Sequence, residues 1–254
     1  MLKKITSFAE AILRKRGLKL VSVHKTDPFG PDMEEEFKEI YYKVKPYTMT
    51  SIERMYALYK ATEYIAKKNL PGSIVECGVW KGGSAMIAAL TLMSLKKTER
   101  DIYLYDTYEG MSKPTEKDVR FTGISAKGKW KKSKKSNHNA WCYSPLEEVR
   151  NNLFSTGYPK ERIHFIKGKV EETIPKTIPK AIALLRLDTD WYESTYHELR
   201  FLYPLLSPEG ILLIDDYGCW QGAREAVDTF FSKDAQPIYF NRIDYTGRIG
   251  VKNS

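Results

Sequence analysis

The residues with the clearest chemical potential are four aspartates in two short groups, Asp188-Thr-Asp190 and Asp215-Asp216. Each group directly follows a run of apolar residues rich in Leu and Ile, which is typical of a buried parallel strand. In an open parallel sheet, ligands bind outside the carboxyl ends of the strands. Neighbouring strands would therefore bring these carboxylates to one cleft, where their mutual repulsion calls for a cation. An all-oxygen site of this kind suits Mg²⁺, Ca²⁺ or Mn²⁺.

The elements that must position these aspartates alternate along the chain from Ser73 onward. The pattern predicts strands over 73–77, 101–106, 162–167, 181–187 and 210–215, with helices over 83–96, 144–156, 193–205 and 221–232. This alternation is typical of βαβ units and predicts an α/β, doubly wound fold, in which a mostly parallel sheet carries helices on both faces. Two short segments, 236–241 and 246–251, predict an antiparallel terminal hairpin.

Two regions lie outside the alternation. Residues 1–45 are predicted to be an N-terminal helical extension, separate from a main domain over 46–254. Within the extension, one side of a possible helix over 2–16 carries Leu2, Ile5, Phe8, Ile12 and Leu13. This side could lie on a membrane surface, but packing against the main domain or a partner subunit is favoured, and a homo-oligomer is therefore expected. At the start of the main domain, Thr50 resembles the N-cap of the helix that follows it. The connection over 107–143 has no obvious structure and is long enough to predict a lid or a binding loop.

Composition and charge limit the class of protein. The 254 residues are 42% apolar and 29% charged, as in ordinary globular proteins. No apolar run approaches the roughly 18–20 residues that span a bilayer, and the start lacks a secretory signal. Three cysteines without metal-ligand spacing indicate reduced thiols. A cytoplasmic protein is therefore expected. The net charge is +9, and lysines crowd at 127, 129, 131, 132, 134 and 135. A solvated loop explains this run better than nucleic-acid binding does, so no nucleic-acid partner is expected.

A glycine-containing turn joins the first predicted strand to the following helix, in the segment Glu76-Cys-Gly78-Val-Trp-Lys-Gly-Gly-Ser84. Glycines let the backbone approach a ligand, and the helix N-terminus offers free amides, although such turns also serve tight packing alone. The segment has neither the dinucleotide fingerprint nor a phosphate-binding loop. It therefore predicts a ligand without a pyrophosphate, and Glu76 suits a cationic or amino group.

An acid follows the second predicted strand, where proteins of this fold commonly bind ribose hydroxyls. Asp106 occupies that position, a helix cap being the alternative interpretation, and Thr107 could share the role. A cationic ligand that has a ribose and no pyrophosphate indicates S-adenosylmethionine. Its adenine would then lie near Val170 and Glu171, after the third strand.

Together these stretches resemble the macrocin O-methyltransferase family, the TylF type of metal-dependent sugar methyltransferase. The resemblance covers about residues 46–232. It is carried, in family order, by Tyr47-Thr-Met-Thr-Ser-Ile-Glu-Arg54, Val75-Glu-Cys-Gly-Val-Trp-Lys-Gly-Gly-Ser84, Tyr105-Asp-Thr-Tyr-Glu-Gly-Met111, Gly157-Tyr-Pro159, Gly168-Lys-Val-Glu-Glu-Thr-Ile-Pro175, Leu187-Asp-Thr-Asp-Trp-Tyr-Glu-Ser-Thr195 and Ile214-Asp-Asp-Tyr-Gly218.

The resemblance implies a seven-stranded class I methyltransferase fold, S-adenosylmethionine as methyl donor, Mg²⁺, and a small-molecule acceptor hydroxyl, often on a sugar. It places Glu76, Gly78 and Ser84 in the cofactor loop, Asp106 on the ribose, and Met49 and Ser51 in a segment that closes over the cofactor. It also assigns the metal ligands, of which Asp188, Asp215 and Asp216 are the first choice.

The expected chemistry needs a base, because a sugar hydroxyl is a poor nucleophile until a metal and a carboxylate assist the loss of its proton. Asp188 is the first candidate for this base and Asp190 the second. Two alternatives remain open: a nucleic-acid methyltransferase that uses the lysine-rich loop, and a non-catalytic partner that binds S-adenosylmethionine. Neither the acceptor nor the position of its hydroxyl is predicted.

Overall fold

The computed structural model describes residues 13, 14, 17 and 28–253, which divide into two compact units, Met1–Met33 and Glu34–Ser254. In the first unit, Leu13 and Arg14 are helical, and Met33 N donates to Gly30 O at 3.1 Å in a turn. The helix predicted over 2–16 otherwise lies outside the described residues. The second unit begins before residue 46, since residues 35–44 form one of its helices.

The second unit is built on a seven-stranded sheet, as the resemblance implied. Its strands are β1 (Ser73–Cys77), β2 (Ile102–Asp106), β3 (Ile163–Lys167), β4 (Ile182–Leu187), β5 (Leu206–Ile214), β6 (Phe240–Arg242) and β7 (Arg248–Val251). Their order is β3-β2-β1-β4-β5-β7-β6, in which β7 pairs antiparallel with both neighbours and the first five strands are parallel. The predicted terminal hairpin is therefore confirmed as β6 and β7.

In the described region of the second unit, two α-helices precede the first strand, and the others lie between strands in the chain. They are α1 (Glu35–Val44), α2 (Ile52–Lys67), α3 (Gly83–Ser94), α4 (Ala126–Ser133), α5 (Leu146–Phe154), α6 (Val170–Thr173), α7 (Tyr192–Leu202) and α8 (Gln221–Lys233). Every residue of β1 and β4 is buried, which fits their mostly apolar sequences. Among the described residues, no helix combines the length and apolar character that crossing a membrane requires.

Two local expectations differ from the structure. The cap of α2 is Ser51 instead of Thr50, because the Ser51 hydroxyl accepts from Arg54 N at 3.2 Å. The segment over 107–143 contains α4, whose Ala126 is buried and whose Trp130 Nε1 donates to Met111 O at 2.8 Å. The lysine run thus begins on a helix that is attached to the rest of the unit.

Strand register explains how the chemistry-bearing residues meet. Cys77 pairs with Leu187, and Leu187 pairs with Ile214, so β1, β4 and β5 end level with one another. The hydrogen-bond ladder continues one residue further, since Asp188 N donates to Cys77 O at 2.8 Å and Asp215 N donates to Leu187 O at 2.9 Å. The first aspartate after each strand is therefore fixed beside its neighbour at the carboxyl edge of the sheet.

Gly78, at the same edge, is where the strands approach most closely. Its φ is +84°, and a Cβ atom there would overlap the backbone carbonyl of Asp188. Only glycine combines this left-handed conformation with so close an approach. The glycine that the sequence assigned to a ligand loop therefore also has a packing reason to be present.

Candidate active site

Two adjoining cavities open at the carboxyl edge of the sheet, with empty volumes of about 700 and 930 Å³. The first extends along β2 and α6, and its walls include the predicted residues Met49, Gly78, Asp106, Thr107, Val170, Glu171, Asp188 and Asp190. The second extends toward β5 and α8, and its walls include Met49, Glu76, Ser84, Asp188, Asp190, Asp215 and Asp216. Asp188 and Asp190 belong to both cavities and lie at their junction.

Ser51 is the one predicted site residue that lines neither cavity. Its hydroxyl donates to Asp244 Oδ2 at 2.7 Å, and Arg54 Nε donates to the same oxygen at 2.9 Å. Asp244 belongs to the turn between β6 and β7, and Thr246 Oγ1 of that turn donates to Asp215 O at 2.7 Å. The terminal hairpin thereby connects the start of α2 to the tip of β5.

The turn after β1 is organised by Asp106 at the tip of β2. Asp106 Oδ2 accepts from Val79 N at 2.7 Å and Trp80 N at 3.0 Å, and Oδ1 accepts from Tyr108 N at 2.7 Å. The predicted ribose ligand therefore lines the first cavity while it also fixes the backbone of the turn. Trp80 has a φ of +48°, a conformation that costs of order 1–3 kcal/mol and persists where its surroundings enforce it.

Arg186 is the centre of a buried ion network below the aspartates. Its Nη1 donates to Glu76 Oε1 at 2.7 Å, and its Nη2 donates to Asp188 Oδ2 at 2.8 Å and to Asp215 Oδ1 at 2.6 Å. Arg54 binds the other oxygen of Asp215 from α2. Burial raises the pKa of Glu76 to about 7 even though Arg186 opposes this shift. Two arginines thus offset part of the negative charge that β1, β4 and β5 bring together.

Asp190 and Asp216 lack such a cation, and they contact each other. Asp190 Oδ1 accepts from the indole Nε1 of Trp220 at 2.5 Å, and the two carboxyl groups influence each other's pKa. Burial, followed by the neighbouring acid Asp188, raises the pKa of Asp190 to about 7, and burial raises the pKa of Asp216 well above its usual range.

The donor set fits a hard divalent cation. One carboxylate oxygen from each of Asp188, Asp215 and Asp216 lies within 4.8 Å of the others. Asp216 Oδ2 is buried and has no hydrogen-bond partner, although buried polar atoms normally have one. A cation with oxygen ligands would satisfy that atom and reduce the repulsion among the carboxylates.

Three tryptophans form a cluster beside these acids. Trp191 lies 5.0 Å from Trp220 and 5.6 Å from Trp141 between ring centroids, both in edge-on geometry. Trp141 and Trp220 line the second cavity, so their rings can contact a ring-shaped ligand, whereas Trp191 lies behind them. His138 stacks on Tyr143 at 4.0 Å and lines neither of the two cavities.

Sequence reasoning missed the two arginines. Arg186 had a visible signal, since a single charge interrupts the otherwise apolar run of β4 and lies two residues before Asp188 on the same face of the strand. Arg54 had none beyond its place in the motif that begins at Tyr47, because its partner Asp215 is 161 residues away in the chain.

Comparison with known proteins assigns the family. Residues 10–249 match the family model of the macrocin O-methyltransferases (TylF). The chain belongs to this family. The match includes part of residues 1–45, in which no motif was recognised. The activity common to the family and its similar proteins is O-methylation, and this chain is an O-methyltransferase.

Two curated relatives are O-methyltransferases, and the name of the first includes a rhamnosyl group. An 8-demethyl-8-(2,3-dimethoxy-alpha-L-rhamnosyl)-tetracenomycin-C 4'-O-methyltransferase of Streptomyces olivaceus is 31% identical, over 79% of this chain and 74% of the relative. A mycinamicin III 3''-O-methyltransferase of Micromonospora griseorubida is 28% identical, over 79% of this chain and 80% of the relative. The solved structure of the O-methyltransferase NovP superimposes with a TM-score of 0.72 at 27% identity, over 90% of this chain and 92% of NovP.

Proposed function

We propose that this methyltransferase moves the methyl group of S-adenosylmethionine to a sugar hydroxyl of a small molecule, and that it requires Mg²⁺. One observation carries the proposal: two cavities meet at Asp188 and Asp190, directly beside the three aspartates that fit a divalent cation. A transfer reaction needs two substrates with their reacting atoms in contact at such a junction. The sugar-modifying relatives support the acceptor class.

The first cavity suits the adenosine part of the cofactor. In this proposal Asp106 and Thr107, which line this cavity, would contact the ribose, and Val170 and Glu171 would contact the adenine. The methionine part would extend along the turn after β1, past Gly78 toward Ser84 at the start of α3. The sulfonium group would then lie near the junction of the cavities, and the remainder of the second cavity would take the acceptor.

Asp188, Asp215 and Asp216 would hold the metal ion, which lowers the pKa of a hydroxyl that it binds. The residues around them orient the acceptor and exclude water. Trp141 and Trp220 offer flat apolar surfaces for a sugar ring. Arg54 and Arg186 fix the Asp215 carboxylate through both of its oxygens, so its position does not depend on the ligand.

The base in this proposal is Asp190, ahead of the first choice made from the sequence. Asp188 is ion-paired with Arg186, whereas Asp190 accepts from a neutral indole N–H. As the oxygen of the acceptor forms its bond to the methyl carbon and the carbon–sulfur bond breaks, the hydroxyl proton passes to Asp190.

Cytoplasmic localisation and homo-oligomerisation stay predictions from the sequence.

Transfer of labelled methyl groups tests the proposal. Purified protein, S-adenosylmethionine with a labelled methyl group, and a panel of glycosides should give a product whose label lies on a sugar oxygen, located by mass spectrometry. Incorporation into RNA or DNA added in parallel would favour the nucleic-acid alternative instead. Tight binding of the cofactor without transfer to any member of the panel would favour a non-catalytic partner.

A further inference from the structure

Two cations face the second cavity from the segment over 107–143. The guanidinium of Arg120 lies over the ring of Trp220 at 5.4 Å from its centroid, and Lys129 Nζ lies over the ring of Trp141 at 4.1 Å. Both side chains line the cavity, and the two indole rings that they cover are neighbours, with centroids 6.0 Å apart. The cavity therefore has a positive side opposite its carboxylates.

The backbone under each cation is fixed. Arg120 forms a bridge with Trp220, in which Phe121 N donates to Cys219 O at 3.0 Å and Gln221 N donates to Val119 O at 2.8 Å. Lys129 belongs to α4, which is held by its buried Ala126 and by the bond from Trp130 to Met111. These cations are thus presented by ordered elements on the cavity wall.

Two other lysines of the segment over 107–143 form ion pairs. Lys117 pairs with Glu225 at 2.7 Å, and Lys127 pairs with Glu116, both at the outer surface. Within residues 28–253, by contrast, neither Arg120 nor Lys129 forms an ion pair. An unpaired cation inside a substrate cavity is available to a ligand, whereas the paired lysines are not.

The carboxylates of the cavity have partners other than these two cations. Arg54 and Arg186 are paired with Glu76, Asp188 and Asp215, and the set Asp188, Asp215 and Asp216 fits a divalent cation. The indole of Trp220 lies between Arg120 and Asp190: Arg120 lies over its face, and its N–H donates to Asp190 Oδ1.

We infer that Arg120 and Lys129 bind a phosphate group carried by the acceptor, so that the substrate class is a phosphorylated sugar. The inference rests on the proposed methyl transfer to a sugar hydroxyl. A guanidinium binds two phosphate oxygens side by side, and an ammonium contacts a third as a point charge. In this arrangement the indole of Trp220 separates the phosphate group from the carboxylates, and the sugar ring lies across the indole.

Equilibrium binding tests the inference directly. Calorimetry on protein loaded with S-adenosylhomocysteine and Mg²⁺ compares methyl α-glucoside, glucose 1-phosphate and UDP-glucose. We expect at least one phosphate probe to bind about tenfold or more tightly than the neutral glucoside, because charge-assisted hydrogen bonds are the stronger class. The better of the two probes distinguishes a sugar monophosphate from a nucleotide diphosphate sugar.

Matched variants locate the phosphate. R120Q and K129Q should each lower the affinity for the preferred phosphate probe about tenfold and leave the neutral glucoside unchanged. K131Q removes the same charge from α4 outside the cavity and should bind like the unmodified protein. Both cations are at the surface, and thermal unfolding verifies that each variant folds. Equal affinity for neutral and phosphate probes, or undiminished phosphate affinity in R120Q and K129Q, overturns the inference.

Methyl transfer in the same preparations separates the two claims. If neutral glycosides are methylated as well as phosphorylated sugars, and R120Q and K129Q change neither, the inference fails while the proposed function stands. If the phosphate probes bind as expected but no acceptor in a broad panel is methylated, the phosphate site stands and the proposed function fails.

Discussion

At the scale of single residues, the aspartates at the strand tips differ in what holds them. Asp188 and Asp215 are bound by arginines, and Asp190 is bound by the indole of Trp220. Asp190 also has a φ of +69°, a strained conformation for a residue with a side chain. Asp190 lines both cavities, at the junction where the proposed reaction removes a proton. Its position, and the absence of an ion pair to it within residues 28–253, favour Asp190 as the proposed base.

Replacing Asp190 by asparagine tests this assignment. D190N keeps the shape and the bond from Trp220 but cannot accept the hydroxyl proton. We expect kcat to fall by roughly 10²–10⁴-fold, the usual contribution of a positioned base. The affinity for S-adenosylhomocysteine, measured by calorimetry, should change little. D234N, whose aspartate accepts only from Tyr196 at the outer surface, is the control and should retain full activity. Full turnover by D190N would refute the assignment.

At the scale of elements, the site depends on three strands that end level and on the ion network beneath their tips. Arg186 contributes its charge from the interior of β4, and its side chain is only 5% exposed. Glu76 and Asp215, from the strands on either side, are 4% and 7% exposed. Arg186 thus connects all three strands, and its contacts fix the distance between the tips.

The variant R186L should therefore lose stability. It leaves buried carboxylates without their cation, and breaking a buried ion pair on one side costs about 3–5 kcal/mol. The free energy of unfolding in urea is the measurement. The double variant E76Q/R186L should recover part of the lost stability, since it removes one of the buried carboxylates that R186L leaves unpaired. K68Q, which breaks an exposed pair with Glu209, is the control and should change the free energy of unfolding little. A loss of stability in R186L no larger than in K68Q would contradict the stabilising role of the ion network around Arg186.

Several elements could be predicted from the sequence because their physical signal is local. Buried parallel strands appear as apolar runs, and Asp188 and Asp215 follow such runs directly, so the meeting of the tips was predictable. Helix α4 was not, because Ala126 is its one fully buried residue and its lysines give no apolar periodicity. The contact of Arg54 with Asp215 could not be predicted either, because the two residues are far apart in the sequence and meet only in the folded chain.

At the scale of the whole second unit, the segment over 107–143 closes the acceptor side of the site. Asp118, which is fully buried, attaches it to the body: its Oδ1 accepts from Tyr192 N at 2.9 Å and its Oδ2 accepts from Thr115 N at 2.6 Å. Arg120 continues this attachment to the start of α8. The segment for which a lid or a binding loop was expected therefore contains a helix and forms part of the wall of the second cavity.

Loosening this wall should affect the acceptor more than the cofactor. D118A leaves the Tyr192 and Thr115 amides without their acceptor, at a cost of about 1–3 kcal/mol for buried groups. We expect a several-fold increase in the KM for the acceptor, little change in affinity for S-adenosylhomocysteine, and faster cleavage within residues 113–125 in limited proteolysis. E116Q, an exposed change in the same segment, is the matched control. Equal proteolysis of D118A and E116Q would contradict the role of Asp118.

The central claim is that the three aspartates assemble a divalent cation site that the reaction requires. The most direct measurement is the rate of methyl transfer after treatment with EDTA and titration with Mg²⁺. The unmodified protein should lose its activity and regain it with added Mg²⁺. D215A/D216A should stay inactive at every Mg²⁺ concentration while it still binds S-adenosylhomocysteine. Undiminished transfer after the metal is removed, or by D215A/D216A, would contradict the claim.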